Sequence, residues 1–89
     1  MTASKICDAM RALDGLGLNT GTSGNVSTKS GSDILITPSG ISPAGLTPDK
    51  IVRLSSCGDH EDQLKPSSEW RIHVDIYNQF LETGSVVHV

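Results

Sequence analysis

Aromatic residues are scarce in this sequence, which has one Trp, one Tyr and one Phe among 89 residues. All three, Trp70, Tyr77 and Phe80, fall in one late segment. A chain of this length forms at most one domain and buries only about 60–65% of its unfolded surface. We therefore expect residues 1–89 to belong to a single domain with a small core.

Basic residues are also few, since seven Lys and Arg residues face ten Asp and Glu residues and the net charge is −3. The absence of a Lys/Arg cluster argues against a nucleic-acid partner. The sequence has no apolar run long enough to cross a membrane, and its N-terminus lacks a basic-then-apolar signal pattern. We expect a cytoplasmic protein without nucleic-acid or membrane partners.

Only two cysteines occur, Cys7 and Cys57, and they are far apart without the spacing of a metal site. Reduced thiols are expected, although the sequence leaves a disulfide open. His60 lies beside three acidic residues in a polar turn. A solvated loop is the favoured interpretation of this turn, and a metal site is the alternative.

Apolar residues at helical spacing predict two helices. Ile6, Met10, Leu13 and Leu16 recur at helical spacing and predict a helix from about residue 2 to residue 16, with Thr2 or Ser4 as its cap. A second helix is predicted over residues 68–81, after Pro66 and a pair of serines. Its expected apolar face includes a histidine, His73, which we interpret as a packed or hydrogen-bonded structural residue. The members of that face are Trp70, His73, Val74, Tyr77, Phe80 and Leu81.

Short β-branched runs predict four strands. Residues 26–29 and 34–37 form an expected hairpin around a Ser-Gly-Ser-Asp turn, and residues 51–54 form a third strand. The last run, residues 85–89, has no terminating signal, so we expect the chain to be the N-terminal part of a longer protein. Mixed helices and strands predict a sheet flanked by helices, in the α/β or α+β range.

Three turns rich in small residues offer backbone amides and hydroxyl groups. They are the glycine-rich loop at residues 17–27, Ser39-Gly40 after the second strand, and Ser67-Ser68 at the start of the second helix. Such loops and helix starts can bind anions, and Glu69 adds a carboxylate that can handle a proton. Taken singly, each is more typical of an ordinary turn or a capped helix than of an anion site.

Four motifs occur in order: GLNTGTSGNVS at residues 17–27, ITPSGI at 36–41, PSSEWRIH at 66–73 and VVH at 86–88. Together they resemble the class II aldolase/adducin family, and most of all its L-fuculose-1-phosphate aldolase type. The resemblance implies an α/β/α layered fold around a mostly antiparallel sheet, incomplete in this chain. It also implies a homotetramer with active sites between subunits.

The same resemblance assigns roles to individual residues. It implies a divalent metal, typically zinc, held by three histidines, of which His88 matches one. Glu69 matches the catalytic acid/base. The residues expected to bind the substrate phosphate are Gly24, Asn25, Ser39, Gly40, Ser67 and Ser68.

The implied activity of the full-length protein is retro-aldol cleavage of a ketose 1-phosphate, such as L-fuculose 1-phosphate, to dihydroxyacetone phosphate and an aldehyde. The Glu-Trp pair at positions 69 and 70 favours this reaction over epimerisation. The 89 residues alone are expected to be inactive. Two alternatives stay open: an epimerase, dehydratase or decarboxylase on the same scaffold, and a non-catalytic interaction domain like that of adducin.

Overall fold

A computed structural model describes residues 1–19, 24–55, 57–59 and 64–89. Two α-helices, α1 (Ala3–Gly15) and α2 (Trp70–Gln79), accompany four β-strands. The strands are β1 (Asn25–Ser30), β2 (Asp33–Ile36), β3 (Val52–Leu54) and β4 (Ser85–His88). Single turns of 3-10 helix at Pro43–Gly45 and Pro48–Lys50 connect β2 to β3, as the two Pro positions predict. Among the described residues, neither α-helix has the length and apolarity needed to cross a bilayer.

The four strands form one antiparallel sheet in the order β3-β2-β1-β4. In β1 the side chains alternate between the two faces. Val26 packs with α1, whereas Ser27 bonds to side chains of α2. The two helices therefore cover opposite faces of the sheet, and the predicted α/β/α layering around an antiparallel sheet is confirmed.

Each face of the sheet has its own apolar cluster. The cluster under α1 contains Ile6, Cys7, Met10, Val26, Leu46 and Ile51. The cluster under α2 contains Ile34, Ile36, Val52, Leu54, Val74 and Tyr77. Two thin clusters, rather than one large core, therefore hold the layers together. Full burial of one such aliphatic side chain contributes about 1.5–3 kcal/mol.

Helix α1 agrees closely with its prediction. The side chain of Thr2 accepts a hydrogen bond from the amide of Lys5 at 3.3 Å, which makes Thr2 the N-cap. Ile6, Cys7 and Met10 are buried along one face. Leu16, in contrast, lies beyond the helix and is 73% exposed.

Helix α2 is shorter than predicted at both ends. It begins at Trp70 because Ser67 and Ser68 remain in the preceding turn, with the amide of Ser67 donating to the carbonyl of Thr37 at 2.9 Å. It ends at Gln79, since Phe80 leaves the helical conformation at φ −122° and ψ 82°. The predicted apolar face was therefore wrong at its C-terminal end, where Phe80 and Leu81 are exposed.

Candidate functional site

The topology brings the predicted turns to one end of the sheet. Strand β1 begins where the antiparallel strands β2 and β4 end, so Asn25, Ser39 and His88 lie at the same edge. In the register of β1 and β4, Asn25 is directly opposite His88. The start of α2 joins them through a bridge between Pro38 and Pro66.

A cavity of about 350 Å³ opens at this edge. This volume is within the range of small-molecule sites in proteins, which is roughly 300–1,000 Å³. The described residues that line it include no lysine or arginine, so an anion there would meet neutral donors and a single carboxylate, that of Glu69. The lining residues are Asn25, Pro38, Ser39, Gly40, Ser67, Ser68 and Glu69.

Five of the six residues expected to bind phosphate thus lie around one cavity. The turns that carry them are fixed by backbone hydrogen bonds, since the amide of Ser39 donates to the carbonyl of Lys65 at 2.9 Å. Gly40 has a φ of +75°, which residues with a side chain rarely adopt. Ser39, Gly40 and Ser68 are exposed toward solvent, whereas Ser67 is buried.

The start of α2 offers fewer open amides than its sequence indicates. The amide of Glu69 donates to Oγ of Ser67 at 3.3 Å, and that of Trp70 donates to the carbonyl of Ser67 at 3.0 Å. The amide of Ser67 is also bonded, to Thr37. Hydroxyl groups around the cavity therefore carry more of the potential for anion binding than the sequence alone indicates.

Gly24, the sixth predicted residue, is outside the cavity lining. Its amide donates to Oδ1 of the buried Asn19 at 2.6 Å. A Cβ atom on Gly24 would lie 2.8 Å from the same oxygen, so only glycine allows this approach. Asn19 is a supporting residue that sequence reasoning missed. The intervening residues 20–23 of the glycine-rich loop lie outside the described residues.

Glu69 lies at the N-cap position of α2, yet its side chain does not cap the helix. Instead, Oε2 accepts a hydrogen bond from Nδ2 of Asn25 at 3.0 Å. The carboxylate is thus directed toward the sheet edge and the cavity rather than along its own helix. The sequence predicted a helix-stabilising acid here, with a possible role in proton transfer.

His88 reaches the same carboxylate from β4. Its Nδ1 atom lies 2.5 Å from Oε2 of Glu69, which is ion-pair distance. This contact does not have the geometry of a hydrogen bond. Among the described residues, Nδ1 of His88 is buried and has no hydrogen-bond partner. No group of three or more metal-ligating side chains occurs among the described residues. The metal-ligand role that the resemblance implies for His88 thus stays a prediction, and the described residues around it do not complete a metal site.

His73 has both ring nitrogens within the protein. Nδ1 lies 2.6 Å from Oγ of Ser27, and Nε2 contacts Oδ1 of Asn25. Burial, followed by the nearby His88, lowers the pKa of His73 to about 4, although Glu69 opposes this shift. The structural interpretation of His73 is thus confirmed.

Ser27 also contacts the hydroxyl of Tyr77 at 2.8 Å. Burial raises the pKa of Tyr77, whereas its hydrogen bonds with Ser27 and with the backbone of Val86 act to lower it. Sequence reasoning missed Ser27 and gave Tyr77 only an apolar role. One signal was available, because Tyr77 follows His73 by one helical turn and Ser27 shares its strand face with Asn25.

The cysteines lie apart from this site. Cys7 is a buried free thiol under α1, and burial raises its pKa. Cys57 is free and exposed. No disulfide joins these two residues in the structure, and their reduced state stays a prediction, whereas His60, the alternative metal ligand, lies outside the described residues.

Comparison with known proteins agrees with this geometry. The chain is 48% identical, over 93% of its length, to 5-methylthioribulose-1-phosphate/5-deoxyribulose-1-phosphate aldolase of Rhodospirillum rubrum, of which it covers 38%. It is 43% identical, over 97% of its length, to L-fuculose phosphate aldolase of Escherichia coli strain K12, of which it covers 40%. The chain thus spans about 40% of the length of these relatives.

A solved structure of L-fuculose 1-phosphate aldolase superposes with a TM-score of 0.93 at 27% identity, covering 99% of this chain and 43% of that one. The sequence family described as the class II aldolase and adducin N-terminal domain matches residues 4–89. The four motifs, the layered fold and this match lead to one conclusion: the chain belongs to the class II aldolase and adducin N-terminal domain family.

Proposed function

We propose that this chain is the N-terminal part of a metal-dependent aldolase that cleaves a ketose 1-phosphate to dihydroxyacetone phosphate and an aldehyde. The observation that carries the proposal is the position of Glu69, whose carboxylate lines a cavity bounded by two serine-bearing turns and contacts His88. The Rhodospirillum rubrum relative and the solved L-fuculose 1-phosphate aldolase are both named for a sugar 1-phosphate, which supports this substrate class over one particular sugar.

In this proposal the phosphate binds at the turns of the cavity. Hydroxyls of Ser39 and Ser68 face solvent there and can donate to phosphate oxygens without a neighbouring cation. Serine hydroxyls and backbone amides are uncharged donors that can bind a dianion in a protein of net negative charge. Binding at these turns holds the phosphate away from the reacting carbons. The proposed phosphate-binding residues remain Gly24, Asn25, Ser39, Gly40, Ser67 and Ser68.

Glu69 acts as the proton-transfer group. Cleavage of the C3–C4 bond requires loss of a hydroxyl proton and leaves an electron pair that spreads over an enediolate, which then takes up a proton. The carboxylate lies at the cavity, within reach of a bound sugar phosphate, and Asn25 holds it there. A positioned group of this kind contributes about 10²–10⁴ in rate.

A divalent metal fits part of this site. The Nδ1 atom of His88 is buried without a hydrogen-bond partner among the described residues, and an imidazole nitrogen is a ligand that zinc accepts. When bound, zinc or another divalent ion supplies a Lewis acid that stabilises negative charge on substrate oxygens. His88 would hold it, with further ligands from outside the described residues. A homotetramer in the cytoplasm is part of the same proposal.

The test uses the full-length protein, with L-fuculose 1-phosphate and 5-deoxyribulose 1-phosphate as substrates and release of dihydroxyacetone phosphate as the readout. Glu69→Gln should lower turnover by about 10²–10⁴-fold while bound metal is retained. Glu82→Gln, an exposed change beyond the C-terminal end of α2, is the matched control.

Unchanged turnover in Glu69→Gln would contradict the role of that carboxylate. Conversion of either sugar phosphate without release of dihydroxyacetone phosphate would instead identify an epimerase, dehydratase or decarboxylase. If the full-length protein binds neither metal nor sugar phosphate, a non-catalytic, adducin-like interaction domain replaces the enzyme.

A further inference from the structure

Four buried side chains connect the interior of the protein to Glu69. We name them the Tyr77–Asn25 chain, after their order Tyr77, Ser27, His73 and Asn25. Their exposed fractions are at most 2%. The chain ends where Nδ2 of Asn25 donates to Oε2 of Glu69 at 3.0 Å.

The carboxylate end fixes the direction of the first bonds. An ionised carboxylate only accepts hydrogen bonds, so Asn25 must present its NH₂ group to Glu69. Its Oδ1 atom then faces His73 and can only accept. His73 must therefore carry its proton on Nε2, and this leaves Nδ1 as an acceptor.

The remaining bonds follow from that tautomer. Nδ1 of His73, 2.6 Å from Ser27, takes the hydroxyl proton of Ser27. Oγ of Ser27 in turn accepts from the hydroxyl of Tyr77 at 2.8 Å. Every donor in the Tyr77–Asn25 chain thus points toward Glu69, and no member can reverse without leaving a buried group unpaired.

Reversal is costly in this interior. A buried donor or acceptor left without its partner costs about 1–3 kcal/mol. If the Asn25 amide turned over, Oδ1 would face the carboxylate and NH₂ would face the Nε2–H group of His73, so both bonds would be lost at once. The carboxylate of Glu69 and the Nε2–H group of His73 therefore hold the Asn25 amide in the same orientation.

We infer that His73 is a positioning residue for Glu69: as the Nε2–H tautomer, bonded at Nδ1 to Ser27, it holds the Asn25 amide that keeps the carboxylate at the cavity. Its catalytic consequence rests on the proposed function, whereas its tautomer and hydrogen bonds do not. It also gives Asn25 a second role, as the link between His73 and Glu69, besides the proposed contact to phosphate.

The kinetic test compares two substitutions in the full-length protein. His73→Leu removes both ring nitrogens and should lower kcat about 10–100-fold with little change in KM, the size of effect seen when supporting partners of a site are removed. His73→Gln is the matched variant, because its side-chain NH₂ group can replace the Nε2–H donor. It should recover most of the lost kcat.

Variants further along the chain should show graded effects. Ser27→Ala removes the hydroxyl that donates to Nδ1 of His73. It should therefore lower kcat more than Tyr77→Phe, which leaves the Ser27 hydroxyl in place. The opposite order would contradict the inferred direction of the chain.

A spectroscopic measurement tests the tautomer without any turnover. ¹⁵N NMR of the ring nitrogens at neutral pH should give one protonated nitrogen, Nε2, and one unprotonated nitrogen, Nδ1, with the signals assigned by their absence in His73→Gln. Protonation of Nδ1 overturns the inference even if His73→Leu does not fold.

The two proposals fail in different ways. A wild-type protein that releases no dihydroxyacetone phosphate contradicts the aldolase function, and the tautomer then decides the inference by itself. If the wild-type protein is active and depends on Glu69, full activity of His73→Leu contradicts the positioning role alone.

Discussion

Asn25 and Glu69 are 44 positions apart in the sequence, yet Nδ2 of one lies 3.0 Å from Oε2 of the other. The first residue begins β1, and the second lies just before α2. This hydrogen bond therefore connects β1, which pairs with the strand that carries His88, to the turn before α2, which lines the cavity. The same hydrogen bond would thus hold both the carboxylate proposed for proton transfer and Asn25, which is proposed to bind the substrate phosphate.

The exposed serines of the cavity are expected to act on substrate binding. Ser39→Ala or Ser68→Ala each removes a donor to a charged phosphate, which is worth about 1.5–3 kcal/mol, so KM for the sugar phosphate should rise about tenfold or more. Because these groups lie away from the reacting carbons, kcat should change little. Steady-state kinetics of the full-length protein measures both. Ser32→Ala, in the exposed hairpin turn between β1 and β2, is the control, and equal KM values in all three variants would exclude these hydroxyls from phosphate binding.

Gly24→Ala should destabilise the protein. Its Cβ would lie 2.8 Å from Oδ1 of Asn19 and would displace the buried bond between that oxygen and the Gly24 amide, at a cost of about 1–3 kcal/mol. Urea unfolding of the full-length protein gives the difference. Gly45→Ala is the matched control, because its Cβ would meet neighbours only at 3.8 Å. Equal destabilisation by the two changes would count against the close packing of Gly24.

Stability should depend on pH through His73. Its pKa is lowered from 6.5 to about 4, so the folded protein binds fewer protons than the unfolded chain between these values. Stability is then fully present above about pH 6.5, and up to about 3 kcal/mol is lost as the pH falls toward 4. Unfolding free energies measured across this range should fall less steeply in His73→Gln, which has no group to titrate. Parallel curves for the two proteins would mean that His73 accepts its proton in the folded state.

The 89-residue chain should bind zinc weakly and have no aldolase activity. The residues that the structure describes contain no group of three or more potential ligands, and a zinc site needs three or four. Isothermal titration of the chain with zinc measures this, and the full-length protein serves as the comparison. Tight one-to-one binding by the chain that is lost in His88→Ala would reveal ligands beyond His88.

Most regular elements could be predicted from local patterns. The helical spacing of Ile6 and Met10 predicted α1, and the short apolar, β-branched run Ile34-Leu35-Ile36 after a turn predicted β2, because both signals are local. The ends of α2 could not be predicted in this way. They depend on the bridge between Pro38 and Pro66 and on the conformation of Phe80, neither of which leaves a periodic signal.

The candidate site was only partly visible in the sequence. The motifs and the resemblance identified Glu69, His88 and the serine turns as candidates, whose roles stay predictions. The contacts of the Tyr77–Asn25 chain were not visible, since Asn25 and His73 are 48 positions apart and Ser27 and Tyr77 are 50 apart. Such contacts follow from the register of strands and the placement of a helix over them.

By itself, the sequence determined the family, the order of helices and strands, and the residue types available for chemistry, because these depend on local spacing and on motifs. Only the tertiary structure decided that the ends of three strands and the start of α2 meet at one sheet edge. It also decided the direction in which buried donors point, because a hydrogen bond between distant segments exists only once the antiparallel sheet has brought them together.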